Sequence, residues 1–193
     1  KPVVNGEPCY EGHAFGTRYG RFNEFHVRRG IWQSLLSGGK AGVTYGAHGV
    51  WGWYRDGKEF SNESYGGRPL EWRKALQLKG AWDASYAKWI FETFGLSGLE
   101  AWDGVLNDTR EIRAAMTPDR EKIAIYVPYN IDVKLQADLS GYEVFLIHLA
   151  EKIVARPVIQ TKDGVSVMKM HDFNSDVLIL GSLKDCPFKS DKK

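Results

Sequence analysis

Two short apolar runs, each followed by a long glycine- and aromatic-rich loop and then a helical pattern, most constrain what this chain can fold into. The first run, Pro2 to Glu7, ends abruptly at Gly-Glu-Pro and reads as a buried strand. Residues from Cys9 to Phe22 then show no hydrophobic period. Asn23 reads as the N-cap of a helix over Glu24 to Ser37, stopped by Gly38-Gly39. Ala41 to Gly46 is the second strand, and a long loop from Ala47 to about Glu71 carries Trp51, Trp53, Tyr54 and Tyr65. It leads to a second helix over Ala81 to Phe94, where Trp82, Tyr86, Trp89, Ile90 and Thr93 recur at helical spacing before Gly95. Long loops at strand ends with short returns at helix ends are the asymmetry of parallel α/β architectures, in which the strand-end loops carry the site.

Past a boundary near Asp103 to Asp108 the pattern changes. Short runs at Ile112 to Met116, Lys122 to Val127, Asp132 to Gln136, Val144 to Leu149, Val158 to Thr161, Ser166 to Met170 and Val177 to Leu180 predict strands separated by turn signals. Aliphatic and polar residues alternate along them, which predicts a small antiparallel β-sandwich. The expected organisation is an α/β region over 1–103, the sandwich over 104–188 and a polar tail over 189–193. All seven Trp and 17 of the 21 Gly fall in residues 1–103, so that region has the composition of a ligand-facing surface.

Several function classes are excluded at this level. Lys and Arg number 26 against 24 Asp and Glu, and the cations are scattered, so no nucleic-acid footprint is present. No apolar run approaches the roughly 20 residues of a membrane-spanning helix. Cys9 and Cys186 cannot build a disulfide framework, a CxxC redox site or a cysteine zinc site. His13, His26 and His48 lack metal-ligand spacing, and neither a P-loop nor a GxGxxG turn occurs, so no metal or cofactor is expected. The start at Lys1 reads as a processed or truncated end.

Glu7 and Glu11 sit where the first strand runs out, in GEPCYEG. A carboxylate at the carboxyl end of a barrel strand is where glycosidases keep a nucleophile or base. The plainer alternative is a strand-end acid paired with Arg28 or Arg29. In TYGAHGVWGW, Tyr45, His48, Trp51 and Trp53 gather at the end of the second strand, where flat aromatic faces suit the C–H patches of a sugar; equally they suit a packed barrel rim. Cys9 reads as a small packing residue.

Together, KPVVNGEPCYEG, VRRGIWQSLLSGGKAGVTYGAHGVWGW and EWRKALQLKGAWDASYAKWIFE resemble the apiosidase-like family of glycoside hydrolases, bacterial (β/α)8-barrel enzymes acting on plant-type polysaccharides. The resemblance runs over about Pro2 to Trp102. It implies that Glu7 is the catalytic carboxylate, nucleophile or base, at the end of barrel strand seven. Tyr10 and Glu11 fall in the motif after it, and Tyr45, His48 and Trp51 in the strand-eight motif lining the sugar site. Arg28 and Trp53 join the expected substrate-binding set. The family often carries an acidic residue where this chain has His26, which bears on the orientation of Arg28. On this reading the chain is the last two βα units of a (β/α)8 barrel followed by its β-sandwich. The other six units and the second catalytic carboxyl are then owed by a missing N-terminal portion or a partner chain. A carbohydrate substrate and an extracytoplasmic location are implied. The rival reading is a non-catalytic carbohydrate-binding or interaction module, and a third is a purely structural sandwich.

Overall fold

The computed structural model describes residues 1–15, 20–61, 63–169 and 174–184. Met170 at the end of a predicted strand, Cys186 and the expected tail at 189–193 lie outside them. Chain order is β1 (Val4–Asn5), β2 (Tyr10–Glu11), α1 (Glu24–Leu36), β3 (Gly42–Val43), β4 (Gly46–Ala47), α2 (Glu63–Gly66), α3 (Trp72–Ala75) and α4 (Gly80–Thr93). A 3-10 turn over Leu96–Gly98 then leads to β5 (Glu100–Ala101), β6 (Arg113–Met116), β7 (Lys122–Val127), β8 (Val133–Leu135) and β9 (Glu143–His148). The chain continues through β10 (Ile153–Ala155), β11 (Ile159–Lys162), β12 (Val165–Met168) and β13 (Val177–Ser182).

The two apolar runs lie side by side in parallel, β1 on β3 and β2 on β4, as a strand–helix–strand connection requires. Asn23 caps α1 as expected: its side chain accepts from the His26 amide while the His26 ring faces the Asn23 amide, a reciprocal capping box. Val27, Ile31, Trp32 and Leu36 recur at helical spacing and bury one face of α1, and Ala87 and Ile90 do the same for α4. One correction concerns the first run. Val3 and Val4 are 54% and 55% exposed rather than buried, because β1 has only β3 beside it.

The second half forms a six-stranded sheet, β10-β9-β13-β7-β6-β5, facing a three-stranded sheet, β11-β12-β8. The expected alternation of apolar and polar residues holds only in the small sheet. In the large sheet both faces are apolar: Ala124, Tyr126, Phe145, Ile147, Leu178 and Leu180 pack under α1 and α4. Their neighbours Ile123, Ile125, Val127, Leu146 and Ile179 pack on the small sheet. A strand covered on both sides reads as a continuous apolar run, which is what KIAIYV and VFLI are. Glu100 and Ala101, ahead of the Asp103 to Asp108 segment, pair with Met116 and Ala115 of the large sheet. The result is three layers, helices on sheet on sheet.

Polar contacts lock the helix layer onto the sheet. Arg28, 4% exposed, donates from Nη1 to Asp83 Oδ2 at 2.8 Å and from Nη2 to Asp176 Oδ1 at 2.8 Å. Its Nε also reaches both Asp176 oxygens at 3.0 Å, and Tyr126 Oη adds a 3.3 Å bond to Asp176 Oδ2. Burial alone would lower the Arg28 pKa, but Asp176 and then Asp83 outweigh it, so the guanidinium is held charged more firmly than usual. Lys152 closes the second Asp83 oxygen at 3.0 Å. Lys122 Nζ caps the C-terminal carbonyl of Phe94 at 2.6 Å. Breaking such a cluster strands an uncompensated buried charge. Asp176→Ala is expected to cost about 3–5 kcal/mol of stability, read as a lower midpoint in chemical denaturation; a loss under about 1 kcal/mol would show that the cluster does not hold the layers together.

Candidate functional site

Glu7 stands exposed just past the end of β1, where Pro8 sets the turn. Its Oε1 accepts a 2.8 Å bond from Tyr10 Oη. That bond, with slight burial and the Glu7 charge, raises the Tyr10 pKa and keeps the phenol a donor. Tyr10 reaches this position because it lies flat over Gly46: a Cβ there would come within 2.5 Å of the ring. From Tyr10 an aromatic tract continues to Trp51, with ring centroids 4.8 Å apart. Trp51 is 41% exposed and stacks on His48 at 5.1 Å and 19°. His13 lies 4.7 Å beyond His48, with Phe60 and Tyr65 completing the tract. A carboxylate with a phenol donor beside an open indole face can hold a sugar ring and act at its anomeric carbon.

His48 is fully buried and neither ring nitrogen makes a hydrogen bond of full geometry. Burial first, then the positive potential of His13, push its pKa from 6.5 down to about 4, opposed by the Gly12 backbone. It is therefore a neutral platform under Trp51. Gly49 makes the loop possible, since its φ is 123° and a Cβ would collide with the Leu70 carbonyl.

Two more of the expected substrate contacts, Glu11 and Arg28, are buried as His48 is, and Tyr45 is half-buried against Glu11. Glu11 is 2% exposed, accepting from Tyr45 Oη at 2.6 Å and from the Gly80 amide at 2.9 Å. Gly80 begins α4, whose N-cap Lys79 offers no side-chain bond, so Glu11 supplies the cap from another element. Gly80 is required there, because a Cβ would sit 2.5 Å from Glu11 Oε2. Burial raises the Glu11 pKa, while Tyr45 and Gly80 lower it. Burial and Glu11 together raise the Tyr45 pKa well above its ordinary value, so its hydroxyl stays protonated on the Glu11 carboxylate. Arg28 is committed to Asp83 and Asp176, which also answers the question raised by His26: orientation comes from α4 and the sheet, and His26 serves the cap. Glu7 pairs with neither Arg28 nor Arg29, whose partner is Glu111.

Trp53, 61% exposed, packs edge-on to Trp72 at 5.0 Å and lies outside the stacked tract. Cys9 is half-buried against the helix core; burial and Glu11 push its pKa up to about 11, so its thiol carries no nucleophilic charge near neutrality. His13, Phe60 and Tyr65 were not expected in the site. His13 was within reach of sequence reasoning, since it follows Glu11 by two residues in the same strand-end segment.

The sequence model for "Apiosidase-like, catalytic domain" matches residues 1–97. No curated protein matches the chain. A solved structure described as a glycoside hydrolase is 19% identical with a TM-score of 0.76, covering 96% of this chain and 43% of its own. Another, a glycoside hydrolase family 5 structure from Bacteroides vulgatus ATCC 8482, is 19% identical with a TM-score of 0.79, covering 100% and 44%. At that identity the likeness is one of fold: a partial barrel followed by sheets. The chain spans less than half the length of either structure.

The buried His48 gives a pH dependence. Its native pKa lies near 4 and its ordinary value is 6.5, so the unfolded chain takes the proton more readily. The stability this group contributes is complete above about pH 6.5 and is lost as pH falls toward 4. His26 and His148 are shifted in the same direction. Denaturation midpoints measured across this window should fall with acid, and His48→Phe should make the slope shallower; an unchanged slope would show that His48 is protonated freely in the native state.

Proposed function

Since this chain belongs to the apiosidase-like family, we propose that it is the C-terminal portion of a glycoside hydrolase acting on plant-type polysaccharide or oligosaccharide, with Glu7 as nucleophile or base. The observation that carries the reading is the exposed Glu7 carboxylate bonded by Tyr10, whose ring packs in turn against the partly exposed Trp51. Tyr10 occupies Oε1 and leaves Oε2 free. In a retaining reaction Oε2 attacks the anomeric carbon as the glycosidic C–O bond breaks, an acid elsewhere protonates the leaving oxygen, and water then cleaves the glycosyl ester. In an inverting reaction the same oxygen takes a proton from the attacking water. Tyr10 and Trp51 hold the sugar and the carboxylate in register, while Glu11, Tyr45 and His48 support them from below.

The second carboxyl belongs to barrel units outside this chain's two. Supporting that assignment, among the described residues β1 and β3 pair only with each other, and Val3 and Val4 are exposed. Beside β3, a cavity of about 290 Å³ with Leu35, Val43 and Phe91 in its wall and Lys40, Lys88 and Glu92 around it offers a largely apolar seat for a neighbouring unit. The remaining units come from an N-terminal portion or a partner chain. The alternative, a glycan-binding module without turnover, draws on the exposed Trp51 and Trp53.

In the complete enzyme, Glu7→Gln should lower kcat by at least about 10²-fold with an unchanged denaturation midpoint. Tyr10→Phe should retain partial turnover. Full activity of Glu7→Gln overturns the catalytic reading, and glycan affinity without hydrolysis by the complete wild-type protein favours the binding module.

A further inference from the structure

A cleft lies where the helix layer meets the edge of the large sheet, away from the Glu7 tract. It encloses about 630 Å³, within the size range of ligand sites. Phe25 of α1 and Trp82 of α4 contribute aromatic surface to it, and the turn before β10 closes the far side with Glu151 and Lys152. Trp82 is 72% exposed. The indole stands open on the rim of the cleft, where a ligand can reach it.

The charges around the cleft define the ligand further. Three cations, Arg28, Lys79 and Lys152, stand against three carboxylates, Glu24, Asp83 and Glu151, so the lining selects neither an anion nor a cation. Arg28, Asp83 and Lys152 are engaged with one another or with Asp176, and form a rigid floor. Among the described residues no ion pair holds Glu24, Lys79 or Glu151, which leaves acceptors and a donor free at the rim. A ligand with both hydrogen-bond donors and acceptors, no net charge and a flat C–H face satisfies all three features. That is a neutral sugar.

We infer that this cleft is a glycan subsite for neutral sugar units remote from the cleaved bond, with Trp82 as its stacking platform. The inference rests on the proposed glycosidase reading for its substrate class. The two places are tied by one contact, since Glu11, next to Tyr10 on β2, accepts from the Gly80 amide two residues before Trp82. Part of the site comes from the sheet layer, which gives that layer a role in substrate binding.

The test titrates the full-length polypeptide, in a Glu7→Gln background, with cellohexaose, xylohexaose, mannohexaose and hexagalacturonate while the Trp82 indole N–H signal is followed by NMR. At least one neutral hexasaccharide should shift that signal, and Trp82→Ala should weaken its binding about tenfold, with Trp82→Phe partly restoring it. Lys79→Met combined with Glu151→Gln should weaken it as well. A response to hexagalacturonate alone, a Trp82→Ala variant that binds like its parent, or no shift with any probe overturns the subsite. Loss of turnover in Glu7→Gln is read separately, so the subsite can fail while the catalytic reading stands, and the reverse.

Discussion

Arg28 holds the molecule in one frame. From inside α1 it reaches Asp83 on α4 and, 148 residues along the chain, Asp176 at the head of β13. The charges could not be left in that interior singly, so the cluster requires helix, helix and sheet to meet in one arrangement. The apolar contacts around it then follow: Trp32, Ile90 and Tyr126 fill the layer between helices and sheet. Because α4 is fixed in this way, its first amide stands where Glu11 can cap it. Because Glu11 is fixed, the strand that carries Tyr10 is fixed too. The pose of Glu7 is therefore tied, through a short chain of contacts, to the large sheet.

Much of the fold was legible because its signals are local. Asn23 before an amphipathic run placed α1, Gly95 closed the second helix, and the turns around each β run bounded strands that the structure finds at nearly the same residues. What escaped depends on partners distant in sequence. The two-faced burial of β7, β9 and β13 exists because helices from the first half cover the large sheet. β10 is a three-residue edge strand after a left-handed Lys152, too short to declare itself. The exposure of Val3 and Val4 reflects the neighbours a parallel strand has, which its own residues do not encode.

The site divides along the same line. Glu7, Tyr10 and Trp51 were expected and stand together; Glu11 and Arg28 were expected beside them and are buried. Successive residues on a strand face opposite sides, so once Tyr10 and Glu11 belong to β2 they cannot both line the cleft. That segment read as loop, and the alternation went unused. His48 shows a related limit: a histidine among aromatics looks reactive in sequence, yet burial keeps it neutral and makes it a support.

The central claim is that the Glu7 carboxylate acts directly on the sugar. Chemical rescue tests it most directly: Glu7→Ala in the complete enzyme, assayed on an activated glycoside with and without sodium azide. The account predicts a folded, inactive variant whose turnover azide restores as a glycosyl azide of inverted configuration, because azide enters from the face that the Glu7 carboxylate occupied. An active Glu7→Ala variant, or a folded inactive one that azide leaves unchanged, would contradict it.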